Sequence, residues 1–453
     1  MKRTVSVILT MLLLWGSACC LFSCEDPATD PDPMKNPSND TENQEDPSDL
    51  PREEQDENFT YRIEGEQKIL TAVRDQAITE AVIPDDVTEI DYGAFLECSE
   101  LTDVTMGKRV TKIGARAFEG CGSLERLTIP DSVTSIGSYA FQQCNKLTKV
   151  TVGNGVTHIG SSAFLGCSKL NNVKIGSNVT SIGAEAFANC PMLSEIHTDS
   201  LQSWCNIDFE LDHLGRSSNP LQYAWLYVDG SLVTKLVIPD DVTSIGASAF
   251  SGYLGLTDVT IGKGVKTIGE RAFSHCDNLK QVTMSDGVTS IGERAFLQCS
   301  AMERIIMSDG VVSIGKAAFW ECSSLTDIVL PEGLTIIEES AFYGCSGLTG
   351  IIIPDGVTKI DTMAFMTCSG LTSVTVPQGV TEIGHKAFAF CDALTSVTIP
   401  HSVTNMGHQV FISCDKLKSL YFTGTWGQWN AVEFADMQYY DPLPLKVTVY
   451  CIG

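Results

Sequence analysis

The sequence predicts a solenoid, in which one unit of about 23 residues is repeated and stacked along an axis. A phenylalanine recurs at this constant interval through two blocks of the 453-residue chain. A cysteine stands three residues after the phenylalanine in twelve of the thirteen copies, and Tyr253 replaces it in the other copy. One such unit cannot bury its own apolar residues, whereas stacked units bury them between neighbours. The thirteen phenylalanines are Phe95, Phe118, Phe141, Phe164, Phe187, Phe250, Phe273, Phe296, Phe319, Phe342, Phe365, Phe388 and Phe411.

Each repeat reads as two short extended segments followed by a tight turn. In one copy, residues 124–129 follow the pattern L-x-x-L-x-I, and the alternation at its end predicts a strand. The Pro-Asp pair at residues 130–131 predicts a chain reversal. Residues 133–136 read as a second extended segment. Gly137 then permits the bend into a helical turn, residues 138–144, which carries the phenylalanine and the cysteine.

The repeated cysteines allow three interpretations: metal ligands, disulfides or buried free thiols. Neighbouring strands lie about 4.8 Å apart, but parallel side chains in a stack lack the crossed Cβ geometry that a disulfide needs. A zinc site needs four clustered ligands, and no two of these cysteines are close in sequence. We therefore expect free buried thiols that behave as small hydrophobic residues, and no metal site.

The repeats resemble the BspA-like leucine-rich repeats of bacterial surface proteins, also known as the Treponema-type or cysteine-bearing class. The resemblance rests on the pattern L-x-x-[LVI]-x-[IV]-P-x-x-V-x-x-I-G-x-x-A-F-x-x-C and extends from about Val82 to the C-terminus. It implies a leucine-rich-repeat solenoid: a right-handed curved stack with short β-strands on the concave face, and helical turns and short extended segments elsewhere. It also implies a cell-surface location and a role in adhesion or partner binding.

Residues 1–23 are predicted to be a lipoprotein signal peptide. The chain begins with basic residues, and the apolar run of residues 5–15 is too short to span a membrane. Residues 21–24, Leu-Phe-Ser-Cys, resemble a bacterial lipobox. This resemblance implies that Cys24 is the lipidated first residue of the mature protein, and plain secretion with cleavage elsewhere is the alternative. We expect a surface-exposed lipoprotein of the outer membrane of a Gram-negative bacterium, attached to the membrane through its N-terminal lipid only.

Residues 24–58 are predicted to be a disordered, acidic, proline-rich tether. The segment after Cys24 holds thirteen acidic residues, two basic residues and six prolines, so it buries too little apolar surface to offset its ordering entropy. An acidic run at this place also resembles the export signal of surface-exposed lipoproteins. The whole chain has a net charge of −26. This charge argues against a nucleic-acid partner, because proteins bind phosphate backbones through basic residues.

The array of repeats is interrupted near its middle. Phe187 and Phe250 are further apart than two repeats span, so the gap holds one degenerate repeat and 17 extra residues. Residues 204–209 of this insert read W-x-x-I-D-F, and residues 429–434 near the C-terminus read W-x-x-V-E-F. The open end of a solenoid needs a covering segment, so we interpret both segments as caps. An aromatic loop that binds sugar or protein is the alternative for the insert.

Length alone predicts about three domains of roughly 150 residues, but an array of repeats grows as one body. Beyond the tether we therefore expect one continuous stack with four parts. These are residues 59–198, an N-terminal cap and five full repeats; 199–231, the aromatic cap-like insert; 232–420, a second block of one degenerate and eight full repeats; and 421–453, a C-terminal cap.

The sequence predicts no catalytic site. Most of the seven histidines fall at variable positions of the repeat, and none belongs to an H-x-x-x-H motif, an H-E-x-x-H motif or a nucleophile motif. Catalysis needs a pocket in which groups of shifted pKa converge, whereas a stack of near-identical repeats provides rows of like side chains. We therefore expect neither an enzyme nor a bound cofactor.

Two groups of residues are candidates for binding a partner. One outward row along the strands is mostly threonine but becomes Ile306, Val329 and Ile352 in three successive repeats. An exposed apolar patch there is a candidate partner site, and simple stabilisation of the sheet by β-branched residues is the alternative. In the same region the residue after the phenylalanine is Trp320 in one repeat and Tyr343 in the next. This aromatic run lies on a different side of the repeat, and partial burial is its alternative.

The function predicted first is that of a lipid-anchored surface protein that binds host or bacterial macromolecules, with adhesion implied by the family resemblance. One alternative is a glycan-capturing surface lipoprotein linked to nutrient uptake, with the aromatic insert as its platform. Another is a structural surface component without a specific ligand. The expected partner is thus an extracellular protein or glycan, and we expect the chain to be a monomer.

Overall fold

The computed structural model describes residues 51–215, 218–434 and 447–453. Ser48–Gly453 forms one compact unit, and the apolar core described here belongs to it entirely. The predicted signal peptide, the lipidation residue Cys24 and residues 24–50 of the predicted tether lie outside the described residues.

The described chain is a parallel-strand β-solenoid of about 15 turns with a spacing of about 23 residues. Most full repeats contribute a strand of three or four residues to one face, the long-strand face, and a strand of two residues to another, the short-strand face. Val150 pairs with Leu127 on the first face, and Ile159 pairs with Ile136 on the second. The register between neighbouring strands therefore equals the repeat length, and each position of the repeat forms a row along the stack.

The strands and helices have the following bounds. The long strands are Glu80–Val82, Asp103–Thr105, Arg126–Ile129, Lys149–Val152, Asn172–Lys174, Glu195–Thr198, Trp225–Val228, Lys235–Ile238, Asp258–Ile261, Gln281–Met284, Arg304–Ile306, Ser373–Thr375, Ser396–Ile399, Ser419–Phe422 and Thr448–Cys451. The short strands are Glu89–Ile90, Lys112–Ile113, Ser135–Ile136, His158–Ile159, Ser181–Ile182, Asp208–Phe209, Ser244–Ile245, Thr267–Ile268, Ser290–Ile291, Ser313–Ile314, Ile336–Ile337, Lys359–Ile360, Glu382–Ile383, Asn405–Met406 and Glu433–Phe434. The remaining elements are the strands Arg52–Gln55, Phe59–Glu64, Gln67–Val73 and Ser231–Leu232, the α-helices Leu201–Cys205 and Trp426–Trp429, and the 3₁₀ turn Pro220–Gln222.

The segment that follows each short strand, here called the turn segment, is a run of tight turns and not a helix. The amides of Ala140 and Gln142 donate to carbonyls three residues earlier, whereas those of Tyr139, Phe141 and Gln143 donate to the next repeat. Tyr139 and Gln143 have φ angles of 60° and 58°. These are left-handed conformations that a right-handed helix does not contain. The turn segment therefore does not continue as a helix, and every second amide in it donates to the next repeat.

The repeated phenylalanines form columns of stacked rings in the core. All thirteen are at most 3% exposed. Within each block, successive ring centroids lie 4.6–5.7 Å apart and the ring planes are within 12° of one another. Phe59 covers the first column edge-on, with its ring centroid 5.8 Å from that of Phe95. The antiparallel strands at the start of the described chain thus close one end of the core.

All twelve repeated cysteines are buried free thiols, which confirms the prediction made from their spacing. In eleven of them the S–H donates to the carbonyl oxygen of the phenylalanine 26 residues earlier, at S···O distances of 3.0–3.4 Å. In nine of these eleven contacts the same carbonyl also accepts the amide of the cysteine in its own repeat, and the Phe250 carbonyl accepts the amide of Tyr253. Cysteine therefore fills a small apolar space and also supplies a weak donor to the preceding repeat.

Tyr253 replaces the cysteine where the second block begins. Its hydroxyl accepts the amide of Leu226 at 3.3 Å and donates to the carbonyl of Val233. No repeat phenylalanine stands 26 residues earlier, so the longer side chain reaches the backbone that leads out of the insert. The missing cysteine thus marks a joint between the two blocks.

The insert and the C-terminal segment share one local architecture. Each has a short helix containing a tryptophan, then a short strand and then a long strand, both of which pair with the preceding repeat. Trp204 and Trp429 each pack on the phenylalanine of their own segment, with ring centroids 5.4 and 5.7 Å apart. Trp204 is fully buried, and its Nε1–H donates to the Ala249 carbonyl at 2.8 Å. It is a core residue and cannot serve as an exposed sugar platform.

The start of the described chain differs from the predicted disordered tether. Arg52–Gln55 is a strand that pairs antiparallel with Phe59–Glu64, and all four of its side chains are exposed. Backbone hydrogen bonds to the neighbouring strand hold it in place. A count of apolar side chains does not detect this kind of ordering, because the edge of a sheet can recruit a polar segment through its backbone alone.

The S–H bond of the cysteine row can be tested at Cys299. Replacing Cys299 by alanine removes the donor to Phe273 and leaves a small void, so we expect the free energy of unfolding to fall by about 1–2 kcal/mol. Cys299→Ser keeps a donor at the same place and should lose less. Urea denaturation of both variants measures the difference. Equal losses would contradict a role for the S–H group.

Thiol labelling tests the burial of the row. Burial raises the pKa of Cys98 to about 11 and that of Cys368 to about 12, so both are protonated at pH 8 as well as enclosed, whereas Cys451 is only partly buried. We expect iodoacetamide at pH 8 to modify Cys451 in the native protein, and the repeated cysteines only after denaturation without reductant. Peptide mass spectrometry identifies the modified sites. Rapid native labelling of Cys368 would show that the row is accessible.

Candidate partner-binding surface

The three aliphatic residues predicted on the strand row are exposed. Ile306, Val329 and Ile352 are 38%, 77% and 84% exposed, at the same position of three successive repeats on the long-strand side. Large aliphatic side chains this exposed on adjacent repeats form a contiguous apolar patch. These three residues, which are one of the two predicted groups, therefore lie on one surface.

Trp320 and Tyr343 lie in the turn segments of the same region. Their rings stack with centroids 4.0 Å apart and planes 14° from parallel, and both residues are half-buried. The cleft beside Trp320 and the cleft beside Ile306 and Val329 have no lining residue in common. The two predicted groups therefore belong to two different surfaces.

Strand pairing on the long-strand side stops at the apolar patch. Arg304–Ile306 pairs with the preceding strand, but only an isolated bridge joins Arg304 to Asp327. Residues 327–329 and 350–352 form no strand, and regular pairing resumes at Ser373–Thr375. The short-strand side is interrupted in the same region, between Ser313–Ile314 and Ile336–Ile337. We call this region the ladder break, comprising residues 304–352.

Distances across the chain reversals show that neighbouring repeats are further apart at the ladder break. A Cβ atom placed on Gly287 would lie 2.0 Å from the Lys263 carbonyl oxygen in the preceding repeat, whereas one on Gly310 would lie 3.5 Å from the equivalent oxygen of Asp286. The corresponding distance is 3.3 Å at Gly356 and returns to 2.7 Å at Gly379. Hydrogen bonds between turn segments persist here, as in the 2.9 Å bond from the Phe319 amide to the Ala341 carbonyl. The stack therefore opens on its strand side only.

The widened strand side contains a cleft of about 380 Å³. Ile306 and Val329 line it together with Arg304 and Asp327, so aliphatic and charged side chains of both signs meet there. Gly350 lies in the outward row beside Ile352, and a Cβ atom placed on it would meet no atom within 4 Å. The glycine leaves the apolar patch uncovered, although the fold does not require glycine at this position.

Two further apolar residues of the ladder break were not predicted from the sequence. Val312 is 57% exposed and Ile336 is 36% exposed, both on the short-strand side. Val312 stands where most repeats carry a threonine whose hydroxyl donates to the preceding repeat, as Thr289 does to Lys266 at 3.1 Å. Valine has no such donor. Val312 adjoins the break, but Lys266 interrupts the same row where pairing continues, so this row alone does not locate the break.

Comparison with known proteins identifies the family. A family model for the BspA type leucine rich repeat region, present in six copies, matches residues 72–194, 227–349 and 312–439, which is well over half of the chain. The chain belongs to this family. BspA-type leucine-rich repeat proteins are typically bacterial surface proteins, and leucine-rich repeat proteins are generally binding scaffolds without enzymatic activity. In the part of the chain that the structure describes, no helix is both long and apolar enough to cross a bilayer.

Solved structures include several similar leucine-rich repeat proteins. One from Bacteroides ovatus is 26% identical, with a TM-score of 0.57 and coverage of 88% of this chain and 99% of that chain. A leucine rich cell surface protein from Faecalibacterium prausnitzii is 25% identical, with a TM-score of 0.34 and coverage of 85% and 98%. One from Treponema pallidum is 20% identical, with a TM-score of 0.32 and coverage of 61% and 92%. A search of curated proteins finds no match.

Proposed function

We propose that this BspA-type protein is a lipid-anchored surface protein that binds an extracellular protein through the ladder break. Cys24 would carry the lipid, and the acidic segment after it would hold the solenoid away from the membrane. The binding surface would be centred on Ile306, Val329 and Ile352. Adhesion to a host or bacterial surface would follow from binding a protein displayed there.

The observation that carries the proposal is the exposure of three aliphatic side chains where strand pairing is lost. Elsewhere the same row is mostly threonine, which suits a solvated strand surface. If Ile306, Val329 and Ile352 served only to stabilise the sheet, regular pairing would be expected around them. Val82 and Val237 are also exposed in this row within paired strands, and Ile306 is still paired, but pairing is lost around Val329 and Ile352. Stabilisation of the sheet therefore does not account for Val329 and Ile352.

The surroundings of the patch favour a protein partner. Arg304 and Asp327 flank it, and both side chains are exposed. An apolar centre with a charged rim is the usual composition of a protein–protein interface. The binding-scaffold character of leucine-rich repeat proteins supports the same class of partner.

Binding should depend on the apolar patch. Val329→Asp combined with Ile352→Asp places two charges in the centre of the surface, and we expect the affinity for a captured extracellular protein to fall by about 100-fold or more. Both side chains are exposed, so the thermal unfolding midpoint should stay close to that of the unchanged protein. Surface plasmon resonance on a partner captured from epithelial, matrix or bacterial extracts measures the affinity.

The matched control is Thr105→Asp combined with Thr128→Asp, which adds the same charges to the same row in the first block. A second blocking variant, Gly350→Arg, adds a large side chain beside the patch without removing any contact, and Ser419→Arg is its control three repeats further along that row. Loss of binding in the two patch variants but in neither control supports the proposal. Unchanged binding in the patch variants would overturn it, and capture of no protein at all would favour a purely structural role.

A further inference from the structure

A second surface runs along the turn segments, away from the ladder-break patch. Three clefts of about 290, 440 and 510 Å³ follow one another from the insert to Trp320. Gln222 lines both the first and the second cleft, and Arg294 and Leu297 line both the second and the third. The three clefts therefore adjoin one another, and together we call them the turn-face groove.

Aromatic rings lie at both ends of the turn-face groove. Tyr223 of the insert lines the first cleft and is 65% exposed. Trp320 lines the last cleft, and its ring is held by stacking on Tyr343 at 4.0 Å. An aromatic ring face carries partial negative charge and attracts the weakly positive C–H groups of a ligand that lies flat on it. Each end thus offers a platform for a flat, C–H-bearing ring.

The second and third clefts are lined by charged side chains that neutralise one another. Arg271 donates to Glu270 at 2.8 Å, Arg294 contacts Glu293 at 2.9 Å, and Lys316 contacts Glu339 at 3.1 Å. The side chains that line the second and third clefts include three cations, Arg271, Arg294 and Lys316, and three anions, Asp277, Glu293 and Glu339. The balance contrasts with the net charge of −26 of the chain. The first cleft adds two anions, Glu185 and Asp212, and no cation. The second and third clefts thus offer hydrogen-bond donors and acceptors to a neutral ligand, and their balanced charge does not select a strongly charged one.

The backbone of the groove does not favour an extended peptide. A peptide that adds to a protein edge binds through free main-chain groups. The amides of His275, Arg294 and Gln298 already donate to the next repeat at 2.7, 2.9 and 2.6 Å. Recognition in this groove must therefore come from side chains, and its ligand must carry its own dense set of polar groups.

The spacing of the repeats fits a polymer of ring-shaped units. Along this stretch the phenylalanine ring centroids of successive repeats are 5.3, 5.3 and 5.5 Å apart. Each repeat thus contributes one set of lining side chains. The spacing between successive repeats is comparable to the length of one pyranose unit in an extended glycan. The second and third clefts of the groove extend over the four repeats of Phe250 to Phe319.

We propose that the turn-face groove binds a neutral oligosaccharide of about four or more sugar units, stacked on Trp320 and hydrogen-bonded by Arg271 and Arg294. Hydroxyl groups supply both donors and acceptors, as the paired guanidinium and carboxylate groups require. The site differs from the surface proposed for protein binding, so either proposal can fail without the other.

The test uses the full chain and a panel of neutral hexasaccharides: maltohexaose, cellohexaose, xylohexaose and mannohexaose. Isothermal titration calorimetry measures affinity, and we expect at least one hexasaccharide to bind and the corresponding disaccharide to bind at least tenfold more weakly. Trp320→Ala and, separately, Arg294→Ala should each weaken hexasaccharide binding at least tenfold. Trp320→Phe should recover part of the loss because it restores a ring face.

The matched control is Trp426→Ala, which removes a tryptophan that is 55% exposed in the C-terminal segment, remote in sequence from the groove. Its affinity should equal that of the unchanged protein. The double variant Val329→Asp with Ile352→Asp should likewise bind hexasaccharide normally. Failure of all four hexasaccharides to bind, or equal binding by the Trp320→Ala and Trp426→Ala variants, would overturn the proposal.

Discussion

Hydrogen bonding between successive repeats at a constant offset of one repeat length is the constraint on which this structure depends. Strand amides and alternate amides of the turn segments donate to the neighbouring repeat, so no repeat satisfies its own backbone. The same offset superimposes identical positions, which explains the stacked phenylalanines and the row of S–H donors. The contribution of a residue to stability therefore depends on its contacts with the repeats on either side, as expected for a solenoid whose stability resides in nearest-neighbour interfaces.

Residues that break the repeat pattern lie where a repeat does not have a regular repeat on both sides. Tyr253 replaces cysteine at the joint with the insert, where it bonds to the backbone of that insert. Trp204 and Trp429 occupy matching places where the regular pattern is interrupted or ends. Val312 interrupts the threonine row where the strand side opens. At each of these positions, a side chain that stabilises the regular stack is replaced by one that contacts the insert, caps the core or lies on an open surface.

The two proposed binding surfaces arise in different ways. At the ladder break the repeats separate and expose aliphatic side chains that regular pairing does not explain. In the turn-face groove the repeats stay in register, and neighbouring repeats jointly line adjoining clefts in which most charged side chains are paired. A regular scaffold thus carries function in positions that the core does not constrain, and this is why the fold alone does not identify the ligand.

The sequence by itself determined the period, the buried positions, the free cysteines and the aromatic segments that interrupt and end the repeats, because each follows from the place of a residue within one repeat. It also located Ile306, Val329 and Ile352, since they break a row pattern. Only the tertiary structure decided that strand pairing fails there, and that residues from Tyr223 to Trp320 line one groove. These features depend on small displacements between repeats and on which neighbour is present to pair, and neither is encoded within a single repeat.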